Sequence, residues 1–228
     1  TRINDYAFYG CSGFTGYLNL TNITQIGNYS FHGCSGFTGY LYLSNVTQIG
    51  DYSFHGCSGF TGILNLSNVI NIGKHSFSEC TGFNKLILSN YLKSIPEYAF
   101  FRCYGFKGSL IIPESITKIS KSAFFMCTGF NETLSFNAQM IESSAFFRCS
   151  NFKGELKLPT DMTEIGYYAF YECSGFTGSL TIPTGIKLIH QYSFCECSGF
   201  NGNLILPEKL DVIYSYAFYH CSGFTGSL

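Results

Sequence analysis

The sequence predicts a β-solenoid, because one unit recurs along the whole chain. The unit is Ile-x-x-x-(Ala/Ser)-Phe-x-x-Cys-x-x-Phe followed by Leu-x-Leu, and it returns every 22 to 24 residues. A fixed repeat of this size means that each coil buries its apolar face only against its neighbours. We therefore expect about ten coils in one right-handed solenoid, a single array over residues 1–228. The cysteines that mark the register are Cys11, Cys34, Cys57, Cys80, Cys103, Cys127, Cys149, Cys173, Cys197 and Cys221.

The Leu-x-Leu segments predict a parallel sheet along one face. Leu180 and Ile182 flank a polar residue, as in a strand that buries one of its faces. Pro183 ends this strand, since proline cannot donate a hydrogen bond to a neighbouring strand. Ile186 and Ile189 follow three residues apart and predict a second, shorter strand or extended wall.

The segment that leads back to the sheet predicts tight turns. Phe170 and Cys173 are three residues apart and would share one face of a 3₁₀-like turn, and Gly175 would form the corner with a positive φ. The residue before each Phe of this kind is Ala or Ser, which indicates close contact between coils. An aromatic row precedes it, interrupted by Ser122 and Ser144, and consists of Tyr6, Tyr29, Tyr52, His75, Tyr98, Tyr168, Tyr192 and Tyr216.

Two features depart from the regular pattern. The coil at Phe136–Ile141 is shorter and lacks the proline, which predicts a local irregularity and not a domain boundary. The chain begins and ends inside a repeat, so we expect a piece of a longer array, uncapped at both ends. Terminal coils then expose apolar residues through which the chain could self-associate: Ile3, Phe8, Phe14, Phe218, Cys221, Phe224 and Leu228.

Composition argues against several classes of protein. The hydrophobic content of 46% is too high for a disordered chain. Charged residues make up 12% and the net charge is −1, so capture of nucleic acid or of an anionic membrane is not expected. No apolar run reaches the ~18 residues that a membrane-spanning helix needs, so we expect no direct membrane insertion by this chain.

The cysteines predict a ladder of buried free thiols. Zinc sites use ligands two to four residues apart, whereas here one thiol recurs per coil. Strands ~4.8 Å apart keep equivalent side chains parallel, and a disulfide needs Cβ atoms that converge. Several disulfides or a metal site are the alternatives. Cys195 lies outside the register, and we expect it nearer the surface than the others.

The run Glu164–Cys173, Glu-Ile-Gly-Tyr-Tyr-Ala-Phe-Tyr-Glu-Cys, resembles the BspA-like (Treponema pallidum-type) leucine-rich repeats. The resemblance extends over essentially the whole chain. The corner Cys-Ser-Gly-Phe-Thr-Gly at Cys11, Cys34, Cys57, Cys173 and Cys221 resembles the protist, Trichomonas-like branch, although it has one more residue before Leu than the family pattern. The resemblance implies a cell-surface or extracellular location and an adhesion or host-interaction role, with host matrix or surface proteins as partners.

The residues predict neither catalysis nor a cofactor. His32, His55 and His220 lie close to cysteines, but other coils carry Tyr or Phe at the repeat position of His32 and His55. They therefore indicate a repeat surface and not a thiol–imidazole pair. No paired carboxylates and no phosphate-binding loop stand out, and a regular array offers few unique residues that could converge in a pocket.

Binding through the sheet face is the favoured function. Side chains that flank the buried Leu residues point outwards, and those of the amino-terminal half are aromatic or aliphatic. Contiguous exposed apolar surface indicates interaction, and tyrosines are favoured interface anchors, although such residues also simply suit exposed strands. The candidate contact residues are Tyr17, Tyr40, Tyr42, Ile63, Ile87 and Ile111.

Six Asn-x-Ser/Thr sequences could carry N-linked glycans if a eukaryote secretes the chain; chance in an Asn- and Thr-rich repeat is the alternative. Sugars on two of them, Asn19 and Asn65, would compete with the candidate patch. The six are Asn19, Asn22, Asn28, Asn45, Asn65 and Asn131.

Three classes of function are compatible with these features. The first is a non-catalytic extracellular adhesion module that binds a host-matrix or cell-surface protein. The second is a structural, self-assembling array whose coils space and stack molecules. The third is a glycan-binding module that uses the exposed tyrosines.

Overall fold

A computed structural model describes residues 1–226 of the chain, so Leu228 lies outside the described residues. These residues form about nine turns of a parallel-strand β-solenoid without helices, which confirms the predicted fold class. We number the coils by their in-register cysteine, from coil 1 (Cys11) to coil 10 (Cys221).

Short parallel strands are the only regular elements of the described residues. They are β1 Arg2–Ile3, β2 Leu18–Asn19, β3 Gln25–Ile26, β4 Leu41–Tyr42, β5 Gln48–Ile49, β6 Gly62–Asn65, β7 Asn71–Ile72, β8 Phe83–Ile87, β9 Ser94–Ile95, β10 Leu110–Ile111, β11 Lys118–Ile119, β12 Leu134–Ser135, β13 Met140–Ile141, β14 Glu164–Ile165, β15 Leu180–Thr181, β16 Leu188–Ile189, β17 Leu204–Ile205 and β18 Val212–Ile213.

The strands build two walls. The Leu-x-Leu strands form the sheet face, in the two-stranded sheets β2–β4, β6–β8, β10–β12 and β15–β17. The second wall, which we call the isoleucine wall, pairs β1-β3-β5-β7, then β9-β11-β13-β14, then β16–β18. Isoleucines stack in register along it, as in Ile3 against Ile26. The longer continuous sheets therefore lie in the isoleucine wall, where we expected only a short strand or extended segment.

The short coil leaves the isoleucine wall intact. Strand β13, which ends the short segment Phe136–Ile141, pairs with β11 on one side and β14 on the other. The interruption falls instead on the sheet face of the next coil, where residues 155–158 form no strand and Gly154 makes a single bridge to Phe176. The predicted irregularity is thus one coil later than the sequence indicated.

The remaining side, from Tyr168 to Gly175 and its equivalents, is the turn face. Its amides alternate in direction: Phe170 N–H donates to Ser193 O in the next coil (2.8 Å), whereas Tyr171 N–H donates to Tyr168 O within the coil (3.2 Å). Cys173 N–H likewise donates to Phe170 O (3.1 Å), the i to i+3 bond of the 3₁₀-like turn that we expected. Because the amides between these bonds donate to the next coil, the segment is a series of single turns and not a continuous helix. This path requires positive φ, 56° at Tyr168 and 52° at Glu172.

The expected positive φ at Gly175 was wrong. Positive φ occurs at Tyr168, Glu172 and Gly178 instead. A Cβ at Gly175 would collide with the carbonyl oxygens of Ser150 and Phe152 in the preceding coil. Glycine is needed at this corner because two coils approach closely, and not because of its backbone angle.

Stacked phenylalanines fill the core. The rings that follow Ala or Ser lie nearly parallel from coil to coil, as Phe31 and Phe54 do with centroids 5.2 Å apart. A second ladder runs through the Phe residues after each cysteine, including Phe37 and Phe60 at 5.1 Å. Both ladders are buried in the interior coils. The terminal coils are less covered, since Ile3, Phe8, Cys11, Phe218, Cys221 and Phe224 are only partly buried and Phe14 is exposed.

All eleven cysteines are free thiols, so the alternative of several disulfides was wrong. From coil 2 onwards, each in-register thiol donates a hydrogen bond to a Phe carbonyl of the preceding coil; Cys34 Sγ lies 3.0 Å from Phe8 O and Cys149 Sγ 3.1 Å from Phe124 O. The sequence pattern did not predict this bond. Each such carbonyl already accepts the N–H of the cysteine in its own coil, and the thiol gives it a second donor, which alanine could not provide.

The expectation for Cys195 was also wrong. Its side chain is only 2% exposed. It shares a repeat position with the larger Tyr171 and Tyr219 side chains of the adjacent coils, and a short side chain between two rings is covered by them. The exposure of a repeat position therefore depends on the residues one coil away.

Candidate functional site: the sheet face

Three tyrosines of two successive coils gather at the amino-terminal end of the sheet face. Tyr17 and Tyr42 meet edge to face with centroids 6.0 Å apart, and Tyr40 lies 6.1 Å from Tyr42. The Tyr40 ring lies over Gly62, where a Cβ would collide with it. Strand alternation turns these side chains outwards while Leu41 is buried.

A groove of about 370 Å³ lies beside these rings, between coils 2 and 3. We call it the tyrosine groove. It is lined by Tyr40, Leu41, Tyr42, Leu43, Ser44, Ile63, Asn65, Ser67 and Asn68. Three of the six predicted contact residues therefore line one concave site, and Tyr17 borders it through Tyr42.

The two other predicted contact residues lie outside the groove. Ile87 of coil 4 is half-buried, and Ile111 of coil 5 is 69% exposed. They continue the apolar strip along the sheet face, as the alternation of Leu-x-Leu predicts.

Two further grooves lie on the sheet face, and both contain charged side chains. The larger, about 650 Å³, lies between coils 8 and 9 and is lined by Thr181, Ile182, Thr184, Lys187, Ile205, Leu206, Pro207, Glu208 and Lys209. We call it the lysine groove. The other, about 310 Å³, is lined by Thr133, Leu134, Ser135, Phe136, Glu155 and Lys157. The sequence pattern did not reveal these grooves, because each depends on side chains from neighbouring coils.

Three of the six predicted glycan acceptors form side-chain hydrogen bonds to an adjacent coil. Asn28 accepts from Asp51 N–H (2.8 Å) and Asn45 donates to Thr21 O (2.6 Å), so both amides link adjacent coils. Asn131 accepts from Gly108 N–H (2.9 Å) in the same manner.

The other three acceptors lie at or near the strand ends of the sheet face. Asn19 and Asn65 each accept from the N–H two residues later, at 3.0 Å. Asn22 is exposed in the loop that follows β2. Asn65 lines the tyrosine groove, so a glycan attached there would occupy the candidate site.

The buried thiols of the interior coils are poorly suited to nucleophilic chemistry. Burial raises the pKa of Cys149 to about 12 and that of Cys195 to about 11. A thiolate is the reactive form of cysteine, so these shifts keep the side chains inert near neutral pH.

The histidines near the cysteines lie on the repeat surface, as the sequence indicated. Tyr9, His32 and His55 stack at 4.8 and 4.7 Å on the turn face. His220 pairs with Glu196 (Nδ1 to Oε1 3.1 Å). Burial lowers the pKa of His32 and His55, which favours the neutral form of both rings.

The aromatic row of the turn face forms two stacks. In the first, Tyr6, Tyr29, Tyr52, His75 and Tyr98 are 4.4 to 4.9 Å apart. Each interior ring covers the faces of its neighbours, so the stack offers mainly ring edges to solvent. The rings of the sheet face are not stacked in this way and offer more of their surface to a ligand.

Residues 1–226 contain no cluster of three or more metal-ligating side chains. The same residues include no helix of the length and apolar character needed to cross a bilayer.

Comparison with known proteins supports the resemblance. The model of the BspA type leucine-rich repeat region matches residues 1–131 and 130–225 in six copies. A leucine-rich cell surface protein of Faecalibacterium prausnitzii A2-165 is 21% identical, with a TM-score of 0.53 over 100% of this chain and 77% of that one. A leucine-rich repeat protein of Bacteroides ovatus ATCC 8483 is 19% identical, with a TM-score of 0.42 over 97% and 80%. No curated protein sequence matches the chain. The chain belongs to the BspA-type leucine-rich repeat family.

Proposed function

We propose that this chain is a non-catalytic adhesion module that binds a host-matrix or cell-surface protein through the sheet face of coils 1 to 3. The observation that carries the proposal is the cluster of Tyr17, Tyr40 and Tyr42 around a groove. Tyrosine combines a large apolar ring with a polar end and is enriched at interface hot spots. Ile63, Ile87 and Ile111 extend the surface along the solenoid axis.

A cell-surface or extracellular location is part of this proposal. The family and the described nature of the Faecalibacterium protein as a cell surface protein support it. Assignment to the protist branch rests on the Cys-Ser-Gly-Phe-Thr-Gly corner alone, and the comparisons with known proteins do not support it.

The test is capture of surface proteins from host cells by the immobilised chain and by two variants. The double variant Tyr40→Ser/Tyr42→Thr introduces the residues that coil 8 carries at the same positions, Ser179 and Thr181. Its control, Tyr104→Ser, removes an exposed tyrosine from the turn face and introduces the residue found there in coils 1 to 3.

We expect the double variant to bind the captured partner at least tenfold more weakly, since tyrosine hot spots account for much of an interface's binding energy. The control should bind normally. Equal binding by the double variant and the unaltered chain would place the contact elsewhere on the molecule.

A further inference from the structure

The tyrosine groove is lined by no charged side chain. The other two grooves of this face contain Lys187, Glu208 and Lys209, or Glu155 and Lys157. An ionised ligand in the tyrosine groove would lose hydration without gaining an opposite charge, which is costly. The groove therefore favours a neutral ligand.

Its aromatic rings form an open wedge. Tyr40 and Tyr42 lie at an interplanar angle of 52° with centroids 6.1 Å apart, and each is about half exposed. The face of an aromatic ring carries negative potential and attracts C–H groups. A pyranose ring has a face rich in C–H groups that fits such a surface, and Ile63 adds an apolar contact beside it.

Two amides at the groove are held in fixed orientations. Asn65 Oδ1 accepts from Ser67 N–H (3.0 Å), so its NH₂ group is directed away from that bond. Asn68 Nδ2 donates to Ser44 O (2.7 Å), so its Oδ1 lies on the other side. Together with the hydroxyls of Ser44 and Ser67 they offer both donors and acceptors. Sugar hydroxyls need both, and groups that are already oriented lose little entropy on binding.

We infer that the tyrosine groove is a binding site for a neutral saccharide. This inference rests on the proposed adhesion function and names the chemistry that its sheet face recognises. A volume of about 370 Å³ lies near the lower end of the ~300–1,000 Å³ typical of small-molecule sites, which suits a short saccharide. The saccharide is the end of a longer glycan, either one attached to a surface protein or a free polysaccharide.

Saturation-transfer NMR with methyl glycosides tests the inference directly. The panel contains the glucoside, galactoside, mannoside and N-acetylglucosaminide, together with the charged glucuronide. The protein is produced in bacteria so that Asn65 carries no glycan. We expect at least one neutral glycoside to bind saturably and the glucuronide to bind at least tenfold more weakly than the best of them.

The variants show whether binding occurs at this groove. Tyr40→Ser/Tyr42→Thr should weaken the best glycoside at least tenfold, and Tyr104→Ser should leave it unchanged, with the same thermal midpoint in all three proteins. No saturable neutral glycoside, or unchanged binding by the double variant, would overturn the inference.

Deglycosylation separates this inference from the proposed function. A captured partner that loses binding after its glycans are removed supports the saccharide site and identifies a glycoprotein as its source. Saturable binding to a soluble neutral polysaccharide that the double variant loses, with no protein captured, supports the site and overturns the protein partner. A partner that binds equally well without glycans, but not to Tyr40→Ser/Tyr42→Thr, supports the adhesion function and overturns the saccharide.

Discussion

The tyrosine groove and the lysine groove lie at the same repeat positions on one sheet face, and they differ almost entirely in chemistry. Tyr42 corresponds to Thr181, and the polar Asn65 corresponds to the apolar Ile205. The buried side is shared, since a leucine points inwards before each outward residue in both strands. Inward positions are restricted by packing against both neighbouring coils, whereas outward positions are free to vary. We therefore expect the residues that give this solenoid its binding specificity to be the outward-facing ones, which differ from coil to coil.

The largest expected effect tests whether the two grooves rest on equivalent scaffolds. Phe60 in coil 3 and Phe200 in coil 9 are both fully buried and stacked between Phe residues. Phe60→Ala and Phe200→Ala should each lower the free energy of unfolding by about 3–5 kcal/mol, from lost burial and a residual cavity. Urea unfolding measures this. A loss below about 1 kcal/mol at one site only would mean that the two regions do not share one core.

A smaller effect concerns the close approach of successive coils. A Cβ at Gly59 would collide with the carbonyls of Ser35 and Phe37, and one at Gly199 would collide with Ser174 and Phe176. Gly59→Ala and Gly199→Ala should therefore each destabilise by about 1–3 kcal/mol, as overpacking does. Thermal unfolding of both variants checks this. If either substitution left the thermal midpoint unchanged, adjacent coils would be able to move apart at that position without loss of stability.

The smallest expected effect is a loss of stability at low pH that arises from the histidines of coils 2 to 4. Burial lowers the pKa of His32, His55 and His75 below the ordinary value of 6.5. The unfolded chain then binds more protons than the folded one as the pH falls below about 6.5, so stability should decrease there. Urea midpoints at pH 7.5 and 5 measure the decrease.

The matched variant for this prediction is His32→Tyr/His55→Tyr/His75→Tyr. Other coils carry tyrosine at these positions, as Tyr9 and Tyr52 show. This triple variant should lose part of the pH dependence of stability, while its tyrosine rings keep the aromatic stacking of the turn face. An unchanged pH profile would assign the dependence to other groups.

The repeat made the core predictable and left much of the surface unpredicted. Leu, Ile, Phe and Cys columns are recognisable because each recurs at a fixed spacing, and their burial follows from that spacing. Cys195 was misjudged because its burial depends on Tyr171 and Tyr219, about one coil away in each direction. Positive φ at Tyr168 leaves no trace in residue type, since tyrosine is not typical of that region.

The candidate site was partly predictable for the same reason. Strand alternation identified Tyr40, Tyr42 and Ile63 as outward-facing. The part played by Asn65, Ser67 and Asn68 depends on how the loop after β6 folds beside the strand, and spacing contains no information about that.

Footprinting of the complex tests most directly that the sheet face of coils 1 to 3 binds the partner. Hydroxyl radicals oxidise exposed tyrosines, and mass spectrometry locates the oxidation in the free chain and in the complex with the captured partner. We predict strong protection of Tyr17, Tyr40 and Tyr42 and unchanged oxidation of Tyr6 and Tyr219, which are exposed on the turn face. Protection of Tyr6 and Tyr219 while Tyr40 and Tyr42 stay reactive would contradict the proposal.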